Sequence, residues 1–117
     1  MKSIKEKSVA EVWQDIESAL NENPQPYEGL NVVYQYDITG DGAGTYQLHL
    51  ADGKAAVVTG AEKDPDCTLK LSDKNFKDMI TGKLKGTTAF MMGKLKITGN
   101  MGLALKLEGI LQQYDFQ

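Results

Sequence analysis

The chain is 117 residues long, 41% apolar and 25% charged, with a formal net charge of −3; this length predicts a single domain spanning residues 1–117, built around one core. No run of about 18 apolar residues is present to cross a bilayer, and one Cys67 and one His49 exclude an internal disulfide and make a metal centre unexpected. All thirteen basic residues are lysines, so the arginine that usually reads phosphate or guanine in bidentate fashion is missing and no nucleic-acid partner is expected.

The charged start Met1-Lys2-Ser3-Ile4-Lys5-Glu6-Lys7 leads into no apolar h-region, so it does not read as a secretory signal and a cytoplasmic protein is expected. Val9, Val12, Trp13, Ile16, Ala19 and Leu20 then recur on one helical face, and Ser8 with Glu11 forms a capping box at its start. Asn21, Asn23 and Pro24 stop that helix, and a loop follows to Gly29. From there the period changes from 3.6 to 2. Val32, Tyr34, Tyr36 and Ile38 alternate in a first strand; Tyr46, Leu48 and Leu50 do so in a second, after a glycine-rich turn over 40–44. Asp52-Gly53 is a favoured two-residue hairpin turn, which returns residues 55–59 as a third strand. After Asp64-Pro65-Asp66, Cys67, Leu69 and Leu71 alternate as a fourth.

Ser72 caps a helix with the apolar face Phe76, Met79 and Ile80, ending near Gly82. A short helix is predicted around Thr88 to Met92, stopped by Gly93, and Leu95 and Ile97 alternate with Lys94 and Lys96 as one more strand. Asn100 caps the last helix. There Met101, Leu103, Ala104, Leu105, Leu107, Ile110 and Leu111 cover more than half the circumference, too much for an ordinary surface helix. Such a helix packs into a core, meets a partner chain, or walls an apolar ligand space. Met79, Met91, Met92 and Met101 fall in the same region, and methionine suits a surface that repacks around variable shapes.

Charge is polarised along the chain. Residues 67–107 carry eight lysines against only Asp73 and Asp78. The ordinary reading is a solvated lysine-rich face; the other is transient attraction to an anionic membrane surface. Motifs for chemistry are weak. The 40–44 glycines precede a strand rather than a helix, so they make a turn, not a phosphate loop. Asp37, Thr39 and Asp41 open like a calcium loop, but its twelfth position is Leu48 where a bidentate glutamate is needed. His49 and Cys67 lie on separate predicted strands, and Cys67 has no cation beside it in sequence to activate it. No catalytic residue, cofactor or metal ligand is assigned.

The stretch Lys83-Leu84-Lys85-Gly86-Thr87-Thr88-Ala89-Phe90-Met91-Met92-Gly93-Lys94-Leu95-Lys96-Ile97-Thr98-Gly99-Asn100-Met101-Gly102-Leu103-Ala104-Leu105-Lys106-Leu107 closely resembles the signature of the sterol carrier protein type 2 family. The 93–104 block is its most specific part; Asp66-Cys67-Thr68, Phe76 and Thr81-Gly82-Lys83 extend the match upstream. The resemblance implies an α+β fold: a mainly antiparallel five-stranded sheet, with helices covering one face and enclosing a hydrophobic tunnel. It also implies a non-enzymatic carrier of a fatty acid, fatty acyl-CoA, phospholipid or sterol. Carried over by position, the lipid-binding residues would be Trp13, Ile16, Met79, Ile80, Phe90, Met91, Met101, Ala104, Leu105 and Leu111. The end Tyr114-Asp115-Phe116-Gln117 is not the Ser-Lys-Leu-like tripeptide of peroxisomal members, which again leaves the cytoplasm as the expected location. A monomer is expected, with a dimer open. The alternative is an interaction module that docks a partner through the apolar last helix and the Tyr114–Phe116 tail.

Overall fold

Alternating burial along the strands sets the sheet's two faces. In the computed structural model, which describes residues 3–116, β1 (Val32–Thr39) buries Val32, Tyr34, Tyr36 and Ile38 on one face. The Met1 and Lys2 of the charged start and Gln117 of the tail, all used in the localisation readings, lie outside the described residues. β2 (Gly44–Ala51), β3 (Lys54–Thr59), β4 (Cys67–Ser72) and β5 (Leu95–Gly99) complete a five-stranded sheet in the order β3-β2-β1-β4-β5. The fold is α+β with a mainly antiparallel sheet; one ladder, β1 with β4, is parallel, with Tyr34 opposite Cys67 and Tyr36 opposite Leu69. A slip of one residue would turn every inward side chain outward, so the apolar alternation fixes this register.

The parallel pair arises because the chain leaves β3 and crosses the sheet's other face before entering β4. Gln47 receives that crossing: its Nε2 donates to the Lys63 carbonyl at 2.7 Å and its Oε1 accepts from the Lys63 N–H at 3.2 Å. Covered this way, Gln47 has 0% exposure although it points away from the apolar layer. Asp66 finishes the crossing, its carboxylate accepting from the Val33 N–H at 2.8 Å. Gly99, at φ +94°, passes so close that a Cβ there would stand 2.7 Å from the Asp66 carbonyl oxygen. Asp52 and Gly53 both have positive φ, 53° and 71°, the geometry of a type I′ hairpin.

α1 (Val9–Glu22) starts on the capping box its sequence predicts: Ser8 Oγ accepts from the Glu11 N–H at 3.1 Å, and the Glu11 carboxylate accepts from the Ser8 N–H at 2.9 Å. Its inner face buries Val9, Val12, Trp13, Ile16 and Leu20. Its outer end protects the edge of β3. Asn21 exchanges two hydrogen bonds with the Ala55 backbone, each 2.8 Å, and Glu17 accepts from the Val57 N–H at 2.7 Å. An edge strand's free amides, a route to unwanted pairing, are thereby satisfied. Two short 3₁₀ turns, Ile4–Glu6 and Gln25–Tyr27, fall where the sequence shows no helical period, since three residues are too few to display one.

α2 (Asp73–Ile80) begins where Ser72 Oγ accepts from the Asn75 N–H at 3.1 Å, and α4 (Met101–Leu111) where Asn100 accepts from the Leu103 N–H at 3.2 Å. α3 (Gly86–Met91) starts two residues before the predicted Thr88, because the Glu108 carboxylate of α4 accepts the Gly86 N–H. α2 packs on β4 and β1, α4 on β4 and β5, and α3 on β5 and α4. Tyr34 ties α4 down, its hydroxyl donating to the Leu103 carbonyl at 2.8 Å; burial first pushes its pKa up to about 12. Among the described residues no helix is long and apolar enough to cross a membrane.

Asp73 joins α2 to the β1–β2 turn by accepting from the Gly42 N–H at 2.9 Å, and that bond is the main cause holding its pKa below the ordinary carboxylate value. A depressed folded pKa means that the unfolded chain binds the proton more readily. The stabilisation is present above the unfolded pKa and is lost as pH falls through the folded one. Asp73→Ala is therefore expected to cost about 1 kcal/mol at neutral pH and less near pH ~3. Urea denaturation at both pH values checks this; equal stability of variant and wild type at neutral pH would contradict the tether.

Candidate functional site

The helical layer does not close over β4. α1 and α2 cover one part of the sheet, α3 and α4 the other, and two cavities lie between them. The first, about 160 Å³, is bounded by Tyr36 of β1, Leu69 and Leu71 of β4, Phe76, Met79 and Ile80 of α2, Ala104 and Leu111 of α4, and the tail residues Tyr114 and Phe116. The second, about 210 Å³, lies between β4, β5, α3 and α4, against Leu69, Leu95, Ile97, Phe90, Met91, Met101 and Leu105. Leu69, Met79, Ala104 and Glu108 belong to both walls. Ala104 is the smallest of these.

Most of the positions carried over from the resemblance meet here. Met79, Ile80, Phe90, Met91, Met101, Ala104, Leu105 and Leu111 each border one cavity or both. Trp13 and Ile16 border neither cavity. Both are buried in the core, at 2% and 0% exposure, because α1 packs its inner face directly on the sheet. Trp13 stands one side chain behind the first cavity: its ring lies 4.9 Å edge-on from Tyr36 and 5.0 Å stacked from Phe76, and those two rings form the wall. Its indole N–H is buried without a partner.

The inward strand residues Tyr36, Leu69, Leu71, Leu95 and Ile97 went unassigned. Period-2 patterning puts them on the core face but does not say which core-face residues meet a helix and which a void. Glu108 was missed too, though it is the first acid after an acid-free run over 83–107. Its carboxylate serves the α3 N-terminus, where a Cβ on Gly86 would collide with it. The tail is engaged within the chain rather than free for a partner: Phe116 is buried and the Tyr114 hydroxyl donates to the Asn23 carbonyl. Burial first raises the Tyr114 pKa to about 12.

Electrostatically the two cavities are mainly apolar spaces with two carboxylates, Glu108 and Asp115, and no lysine in their walls. Tyr36 is held neutral by burial, which raises its pKa. His49 and Cys67 make no dyad. Cys67 is buried on the inner face with its thiol pKa raised by burial, while His49 lies on the outer face, paired opposite Val33, with its Nε2 2.9 Å from Gln47 Oε1. Burial, then the charge of Lys63, lowers the His49 pKa.

Comparison with known proteins gives this geometry a context. The model of the SCP-2 sterol transfer family matches residues 14–112. The chain is 42% identical over 106 residues to hydroxysteroid dehydrogenase-like protein 2 of Xenopus tropicalis, covering 90% of this chain and 25% of that protein. It is 36% identical over 107 residues to human sterol carrier protein 2, covering 87% of this chain and 19% of that one. The chain thus spans a quarter or less of the length of these two relatives. Among solved structures, the sterol carrier protein domain 2 of Helicoverpa armigera superposes with a TM-score of 0.77 at 33% identity, over 90% of this chain and 86% of that one. With a family match that runs from within α1 to the end of α4, and a solved relative of the same fold over 90% of this chain, the chain belongs to the SCP-2 sterol transfer family.

Proposed function

We propose that the chain is a non-enzymatic cytoplasmic carrier that holds one lipid, tail first, in the two cavities joined past Ala104, and that it works as a monomer. The observation that carries this reading is the shared wall: neither cavity alone reaches the ~300–1,000 Å³ usual for a ligand site, and both are bounded by the same Leu69, Met79 and Ala104. A hydrocarbon chain is narrow and flexible, so it suits a bent space of two compartments. Each buried CH₂ contributes roughly 0.8 kcal/mol, so a dozen of them set about 10 kcal/mol against the ordering costs of binding.

The walls also indicate which end enters. A carboxylate or phosphate inside would face Glu108 and meet no lysine, an uncompensated buried charge. The hydrocarbon therefore lies inside, and an anionic head, as in a fatty acid, acyl-CoA or phospholipid, stays at the mouth; a sterol carries no such charge. Native mass spectrometry of gently purified protein is expected to show one lipid mass per chain, and a fluorescent fatty acid to bind one to one. Protein that is consistently empty and also fails to bind the fluorescent fatty acid would overturn the proposal.

A further inference from the structure

We infer that the face formed by α3 and the outer side of α4 is the surface by which this protein docks on an anionic lipid bilayer, with the mouth of the second cavity turned toward the headgroups. The inference rests on the carrier reading above and names the partner of its site. All the exposed large hydrophobic residues among those described, Phe90, Met91, Met92, Met101 and Leu105, fall within sixteen residues of sequence. Met91 is 85% exposed and Met92 61%. Single exposed apolar residues are ordinary on a protein surface, but a cluster of all of them on one face marks an interaction site.

The charge of the same face is one-sided. Residues 83–107 contain no acid and five lysines, of which Lys96 lies on the outer side of the sheet; the next acid, Glu108 of α4, is turned to the Gly86 N–H. Lys83 and Lys85 lead into α3, Lys94 follows it, and Lys106 adjoins Leu105 on α4; all four are exposed. A bilayer containing acidic phospholipid satisfies both features together. Methionine and phenylalanine side chains enter the acyl boundary while lysines meet the headgroup phosphates. An acidic protein would satisfy the charge but would cap the cavity, because Phe90, Met91, Met101 and Leu105 are also its lining. A bilayer in that position lets a hydrocarbon pass between membrane and cavity without crossing water.

Vesicle flotation of the full chain tests this, with phosphatidylcholine vesicles and with vesicles that also contain phosphatidylserine. Binding to the second kind, released by added salt, is expected. Met92 borders neither cavity, so Met92→Asp is expected to lower vesicle affinity while leaving fluorescent fatty acid binding in solution unchanged. Lys94→Glu with Lys106→Glu should reduce vesicle affinity by about tenfold or more. Lys70 and Lys96 face each other across β4 and β5 on the outer side of the sheet, and reversing them should change it by less than about threefold. Equal loss in that control pair, absence of vesicle binding by the wild type, or a wild-type dimer that Met92→Asp splits without affecting vesicles would each overturn the inference. Failure of the wild type to bind fatty acid in solution would sink the carrier reading instead, and the vesicle results would still decide the docking face.

Discussion

Replacing Trp13 with alanine is expected to destabilise the protein by about 3–5 kcal/mol, the range for emptying a well-packed aromatic site. The ring is 2% exposed and touches Tyr36, Tyr46 and Phe76, with centroids 4.9, 5.8 and 5.0 Å away. It is the packing centre that joins α1, α2 and the first two strands. A chain of this size has a total stability of roughly 5–15 kcal/mol, so the variant would stand close to unfolding. Trp13→Phe should cost far less, about 1–1.5 kcal/mol, because most of the volume remains and the removed indole N–H has no acceptor to lose. Urea denaturation at unchanged slope separates the two variants. Since Trp13 lies behind the cavity wall, Trp13→Phe should also leave lipid affinity nearly unaltered; a large loss of binding would return Trp13 to the lining.

Ala104→Phe is expected to weaken lipid binding by about 100-fold, the equivalent of excluding three or four CH₂ groups from the joined space. The added ring projects into the junction of the two cavities, which Ala104 borders on both sides. It enters space rather than neighbours, so stability should change by less than about 1.5 kcal/mol, unlike the usual overpacking of a full core. Displacement of a fluorescent fatty acid, with denaturation as the control for folding, reads both quantities. Unchanged affinity in a folded variant would show that these cavities do not hold the lipid.

The two variants also mark where sequence reasoning succeeds. Trp13 and Ala104 both sit on apolar helical faces, and periodicity treats them alike. The structure separates them because α1 lies flat on the sheet, while α4 leans on β4 and β5 and leaves room beside α2. A hydrophobic stripe reports that a face is covered, not how closely. Glu108 carries the complementary lesson. One acid on an apolar helix is visible in the sequence, but its partner, the Gly86 N–H twenty-two residues earlier, becomes visible only when α3 and α4 pack together.

The sequence alone determined the local, short-range features. The Ser8, Ser72 and Asn100 caps, the strand alternation, the Asp52-Gly53 hairpin and the apolar excess of the last helix follow from backbone preferences and side-chain period, which act over a few residues. The signature over residues 83–107 carried the family, and with it the expectation of an enclosed apolar space. Tertiary structure decided the rest: the parallel β1–β4 pairing, the burial of Gln47 beneath the crossing chain, the inward folding of Tyr114 and Phe116, and the two cavities that share Leu69, Met79, Ala104 and Glu108 in their walls. Each depends on which distant segments come to share a surface. That is settled by the balance of burial over the whole chain, because no single segment can bury its apolar face alone.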